Sequence, residues 1–249
     1  MNNYQPCFAT NPQSWNERWE VLRNFTRQWH KVNLAPVGRK SELVKKEEAK
    51  LGIQLPPSFQ EWIRFSEELH QQKKFIAVLR DDYLIERLEH HPAISLMIQA
   101  EGDRFYSIEE ENLSQDDPPV ESYILDYDSS EEKFDCDLQQ AEHITNFTLQ
   151  HMAYFLYGEG GGFHVTVDSV EDLLSEMRRV FEVHAKWENL QIFENEDMFA
   201  LVSADVYQPT KHNLFVECWR TMSDEEIPDC ILEQTKRRGW FHGKLITEK

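Results

Sequence analysis

Apolar side chains recur every three or four residues in several stretches of this chain and alternate with polar ones in most of the others. Between Ser14 and Trp29, the side chains of Trp15, Trp19, Leu22, Phe25, Thr26 and Trp29 fall along one side of a helix, and Ser14 with Glu17 has capping-box spacing. The polar side is mixed in sign and short of lysine, so this helix is expected to dock on the protein's own body rather than on a membrane surface. After a linker from Val32 to Arg39, Ser41 is placed to cap a second helix through Leu43, Lys46, Glu47 and Lys50, and Gly52 to end it. Ile53 and Leu55 then alternate like extended chain, and Pro56 with Pro57 forbids continuation. A third helix is predicted to start at Pro57, with Glu61 three residues past Ser58. Phe59, Trp62, Ile63, Phe65 and Leu69 give it a broad apolar face that must be buried.

The period then changes. Phe75–Leu79, Tyr83–Leu88 and Ala93–Ala100 are β-rich, and a turn over Ala100–Asp103 leads into Arg104–Ile108, which reads as a meander. Asp116 to Pro119 marks a loop, Val120–Tyr127 a further strand, and Thr145 the cap of a helix containing Phe147, Leu149, Met152, Phe155 and Leu156. The run GEGGG, Gly158–Gly162, reads as a joint. Beyond it, Val165 and Val167 suggest a strand. Asp168 or Ser169 would cap a helix carrying Val170, Leu173, Leu174, Met177, Val180 and Phe181 and closed by Trp187. Strands Leu190–Phe193, Met198–Val206 and Leu214–Trp219 precede a last helix from Asp224 or Pro228 to Arg238. The expected class is α+β, an antiparallel meander packed by helices. Its parts are an aromatic helix and linker over residues 1–39, a domain over 40–157 and a smaller α+β unit over 163–249.

A helix, then LG-x-x-LP, then an aromatic helix resembles the hallmark of the SUKH superfamily, the Smi/Knr-like proteins, which include a fungal regulator of cell-wall synthesis and many bacterial immunity proteins. The matching positions are Glu48, Leu51, Gly52, Leu55, Pro56, Phe59 and Trp62, and the resemblance continues to about Gly162 through LRDDY, AISLMIQAEGD and PPVESYILDYD. Many members follow the aromatic helix with an Asn-Gly turn. This chain has EELHQQKK, Glu67–Lys74, so no ligand contact on that loop is carried over. The resemblance implies a SUKH-like fold and a noncatalytic protein of toxin-antitoxin systems that binds and neutralises a cognate toxin, in many cases a nuclease.

Charge narrows the partners. A formal net charge of -19, from 45 acids and 26 bases, disfavours nucleic acid and anionic membranes and favours a basic protein. Cys7, Cys136, Cys218 and Cys230 are scattered without a C-x-x-C pair, which suggests free thiols of a cytoplasmic protein, and neither a secretory leader nor a bilayer-spanning run is evident. Candidate chemistry is sparse. GEGGG lacks the Lys-Ser/Thr and following helix of a phosphate loop. His90 and His91, near Glu86 and Glu89, have no third metal ligand at a telling spacing and read as a solvated loop. Cys136 with His143 and His151 lacks an orienting partner at motif spacing. No catalytic residue, metal or cofactor is therefore expected.

The acidity is concentrated. Glu101 to Glu142 holds fifteen Asp or Glu against Arg104 and Lys133 alone, leaving a charge of about -6 for the rest of the chain. Such a run either aids solubility or forms a recognition face. On the second reading Glu101, Asp103, Asp116, Asp117, Asp126 and Asp128 are the partner-binding candidates, placed on loops and strand ends. A regulatory scaffold like the fungal relative, or a hydrolase using Asp103, Asp126 and Asp128, are the alternative readings.

Overall fold

Ser14 caps helix α1 (Trp15–His30) as its spacing predicts: the Ser14 hydroxyl accepts the Glu17 amide, and the Glu17 carboxylate accepts the Ser14 amide. The computed structural model describes residues 4–72, 85–89, 91–98, 104–126, 133–155, 162–167, 170–205, 210–218 and 222–238. The expected strand Phe75–Leu79, Tyr83 and Leu84 of the expected strand Tyr83–Leu88, and the run from Gly158 to Gly161 lie outside them.

The chain forms an α+β fold of two units, Gln13–Leu149 and Met1–Pro12 with Gln150–Lys249. The expected boundaries at residues 39/40 and 157/163 are therefore displaced. Helix α1 belongs with the following domain, and the residues ahead of it belong with the C-terminal unit.

In the unit Gln13–Leu149, helix α2 (Glu42–Leu51) is capped by the Ser41 hydroxyl and closed by Gly52 at φ 71°, a left-handed conformation that glycine adopts without a Cβ penalty. Helix α3 (Pro57–Gln71) begins at Pro57, and Phe59, Trp62, Ile63, Phe65 and Leu69 are all buried. Its expected Ser58–Glu61 cap is not made. Ser58 instead accepts the Trp19 indole N–H at 2.7 Å, and Glu61 turns inward to Arg23.

The meander follows as β1 (Ala93–Ile98), β2 (Arg104–Glu109), β3 (Val120–Asp126) and β4 (Lys133–Ala141), a four-stranded antiparallel sheet in that order. β4 escaped the sequence reading although Phe134, Cys136 and Leu138 alternate with polar residues, because Asp135 and Asp137 are poor strand formers. Helix α4 (Ile144–Phe155) packs Phe147 against Tyr106 of β2, with ring centroids 5.1 Å apart. Thr145 lies inside this helix rather than capping it.

The LG-x-x-LP turn is built by Glu48. Its backbone carbonyl accepts the amides of Gly52 and Ile53, while its carboxylate accepts the Leu55 amide at 3.0 Å and the Gln60 side chain at 3.2 Å. Leu55, held there, is buried. Glu48→Ala would strip a buried amide of its acceptor and should lower stability by about 1–3 kcal/mol, as chemical denaturation would read.

The C-terminal unit holds a second antiparallel sheet: β5 (Gly162–Val167), β6 (Val183–Trp187), β7 (Leu190–Glu194), β8 (Met198–Ala204) and β9 (His212–Cys218), in the order β5-β9-β8-β7-β6. Helices α5 (Glu171–Val180) and α6 (Asp229–Arg238) cover one face, where Val165, Leu173, Met177, Phe193, Ala200, Val216 and Ile231 form the core. Here the sequence reading ran the helix too far. Phe181 leaves α5 in extended conformation, and Val183–Trp187 forms β6, whose buried Trp187 is the last strand residue before a two-residue turn at Glu188 and Asn189. The expected caps Asp168 and Ser169 lie outside the described residues; α5 begins after Val170, which makes no side-chain cap.

Candidate recognition surface

Two of the acidic candidates share the loop between the 3-10 turn Glu110–Asn112 and β3, and they have opposite roles. Asp116 is exposed, and its carbonyl accepts the Ser58 amide at 2.9 Å, fixing the loop to the start of α3. Asp117 is buried. Its carboxylate accepts the Thr145 amide at 3.3 Å and the Thr145 hydroxyl at 2.7 Å, and pairs with Arg18 at 3.4 Å. An acidic group beside the first turn of α4 also complements the positive end of the helix dipole. Asp117 is thus a fastening between α1, the loop and α4, and Pro118 beside it is buried too. The expectation that this loop is wholly surface is corrected: a partner can reach Asp116, whereas Asp117 is committed to the fold.

The difference is measurable. Asp117→Ala should cost about 1–3 kcal/mol in chemical denaturation because it leaves buried donors unpaired, while Asp116→Ala should stay within about 0.5 kcal/mol.

Asp126 ends β3, its backbone in register with Lys133 of β4. Glu101, Asp103 and Asp128 lie outside the described residues. Glu111 and Glu142 are exposed, and Glu110 is paired with Arg87. Reading by charge alone did not separate these neighbours, because whether an acid is paired depends on strands and helices distant in sequence.

Sequence reasoning also missed a polar cluster on the same sheet. Glu109, at the end of β2, accepts from the Tyr123 hydroxyl and lies 3.1 Å from His91 Nε2, and the His91 and Tyr123 rings stand 4.5 Å apart. Glu121 Oε2 is 3.3 Å from the same hydroxyl. His91 is therefore anchored against the sheet rather than loose in a solvated loop. Its Nε2 faces the Glu109 carboxylate, an acceptor, so the proton of that contact sits on Nε2. Glu110 and Glu111 follow directly on Glu109 at the end of β2. The cluster brings together two carboxylates, a phenol and one histidine.

Comparison of the chain with known protein families, with curated proteins and with solved structures finds no match. Among the described residues no helix is long and apolar enough to cross a membrane.

Proposed function

We propose that this chain is a noncatalytic binding protein of immunity type, which neutralises a basic protein toxin through the acidic surface of its first sheet. The observation that carries the reading is the charge of residues 101–142, fifteen acids against two bases, along an antiparallel meander in which the loop before β3 is fixed to α3 through the Asp116 carbonyl. A concentration of carboxylates presents a negative potential to a partner, and a nuclease surface shaped for phosphate is one complement to it. The LG-x-x-LP turn, assembled by Glu48 between two helices ahead of the meander, supports the SUKH resemblance on which the immunity role rests. In this reading the protein works in the cytoplasm, needs no cofactor and transforms no substrate.

The test is to purify the protein with its partner from the native cell and measure association with that partner as salt is varied. At ~0.15 M ionic strength the screening length is about 8 Å, so steering by exposed charge should fade steeply as salt rises. Glu111→Lys combined with Asp116→Lys should slow association about tenfold or more while leaving the denaturation midpoint nearly unchanged. A partner whose association ignores both salt and this double reversal would assign the acidity to solubility.

A further inference from the structure

The two sheets treat their edges differently. Outside β1, the segment Glu86–Leu88 covers the edge: the Ser95 amide donates to the Glu86 carbonyl, the Leu88 amide donates to the Ala93 carbonyl, and Arg87 pairs with Ile94. Outside β6, no described residue other than those of β7 makes a backbone hydrogen bond to the strand. The hairpin β6–β7 closes at Trp187 and Leu190 around a two-residue turn in which Glu188 takes φ 51°. In such a hairpin the closing pair is hydrogen-bonded, and bonded pairs then alternate along the ladder. Trp187, Ala185 and Val183 consequently spend their N–H and C=O groups on β7, while those of His184, Lys186 and the preceding Glu182 point away from the sheet. These groups make no backbone hydrogen bond among the described residues, and Glu182, His184 and Lys186 are all exposed.

An open edge is a template for another strand, and a lysine on it is a common guard against indiscriminate pairing. Here the guard has a complement on the same strand. When two copies of β6 run antiparallel with His184 opposite itself, the outward amides and carbonyls of 182, 184 and 186 meet as bonded pairs. Each Glu182 then faces the other copy's Lys186. Shifting the centre to Lys186 sets lysine against lysine, and centring at 185 sets His184 against Lys186. Opposite charges in one register and like or unmatched groups in the others select both partner and alignment. The residue ahead of this edge points the same way: Val180, at the end of α5, is 44% exposed, the one large apolar side chain so exposed among those described.

We propose that β6 pairs with β6 of a second copy of this chain, joining two five-stranded sheets into one about a two-fold axis at His184, with Glu182–Lys186 pairs on either side. The pairing uses Glu182, His184 and Lys186 and none of the acidic residues named for toxin binding, so the toxin-binding reading can fail without affecting it.

Analytical ultracentrifugation of the full chain over a concentration series tests this. The wild type should pass from monomer to dimer with rising concentration. Lys186→Glu and Glu182→Lys should each weaken self-association about tenfold or more, because attractive pairs become repulsive. The double exchange E182K/K186E should restore it. An equimolar mixture of the two single variants should form a mixed dimer, since each then supplies the charge the other lacks. All these positions are exposed, so circular dichroism should show the variants folded. A wild type that stays monomeric up to several hundred micromolar overturns the proposal. So does a dimer indifferent to both single reversals, or a mixture of the single variants that fails to associate.

Discussion

Replacing Arg23 with alanine should destabilise the unit Gln13–Leu149 by about 3–5 kcal/mol, because it leaves two buried carboxylates without their central cation. Arg23 is wholly buried in α1, and Glu61, also wholly buried, receives its Nε at 2.6 Å. Its Nη1 donates to Glu68 at 3.1 Å and to the Ala35 carbonyl at 3.0 Å, and its guanidinium lies 5.7 Å from the centre of the Phe65 ring. Glu61 also accepts from Arg64 and from the Gly38 amide, each at 3.0 Å, and Glu68 accepts the Ala35 amide at 2.8 Å. The network so joins α1, the 32–39 linker and α3. Lysine is no substitute, since one ammonium cannot occupy the planar fork that serves Glu61, Glu68 and a carbonyl at once. Urea denaturation of the full chain should show Arg23→Lys recovering only a minor part of the loss. Equal stability of Arg23→Ala and wild type would mean that the two glutamates gain water or protons at no cost and that packing alone joins α1 to α3.

That network marks how far the sequence could be read. The helices were legible because their caps and apolar stripes are local: Ser14, Ser41, Gly52 and Pro57 stand where the chain changes direction. Trp19, Leu22, Phe25 and Trp29 are buried as their spacing requires. The signal of the ion network was also present, as a charge interrupting each apolar stripe. Arg23 falls between Leu22 and Thr26 on α1, and Glu61 and Glu68 fall among Trp62, Phe65 and Leu69 on α3. Opposite charges on two faces that must both be buried are a reason to pair those faces. Treating Glu61 as a cap partner of Ser58 hid this. β6 was lost differently, because Val183, Ala185 and Trp187 alternate over so few residues that a strand could be taken for the end of the preceding helix. The candidate surface was legible in its charge and illegible in its members. Asp116 and Asp117 are adjacent in sequence, and only their contacts with Ser58, Arg18 and Thr145 set them apart.

The N-terminal segment carried no periodic signal at all, yet it supplies the second large effect. Phe8→Ala should cost about 3–5 kcal/mol in the C-terminal unit, because Phe8 is buried against the rings of Trp187 and Phe199, at 5.4 Å and 5.7 Å between centroids. The segment is also held by polar contacts. Glu194 at the end of β7 is wholly buried and accepts the successive amides of Cys7, at 2.8 Å, and Phe8, at 3.1 Å. Burial, and then the Glu194 charge, push the Cys7 thiol and the Tyr4 hydroxyl far above their ordinary values of 9.0 and 10.0. Because both shifts are upward, the stability tied to these neutral groups is complete below pH 9 and is lost progressively as pH rises beyond the ordinary values, where the unfolded chain ionises first. The same shift supplies a local readout. A thiol reagent attacks the thiolate, so at pH 8 Cys7 should label slowly in the wild type and much faster once Phe8→Ala or Glu194→Ala releases the segment. A fragment beginning at residue 163 should fail to fold stably, since it lacks both Phe8 and the amides that satisfy Glu194. A stably folded 163–249 fragment, or Cys7 labelling unchanged by Phe8→Ala, would show that residues 4–8 rest on the sheet without supporting it.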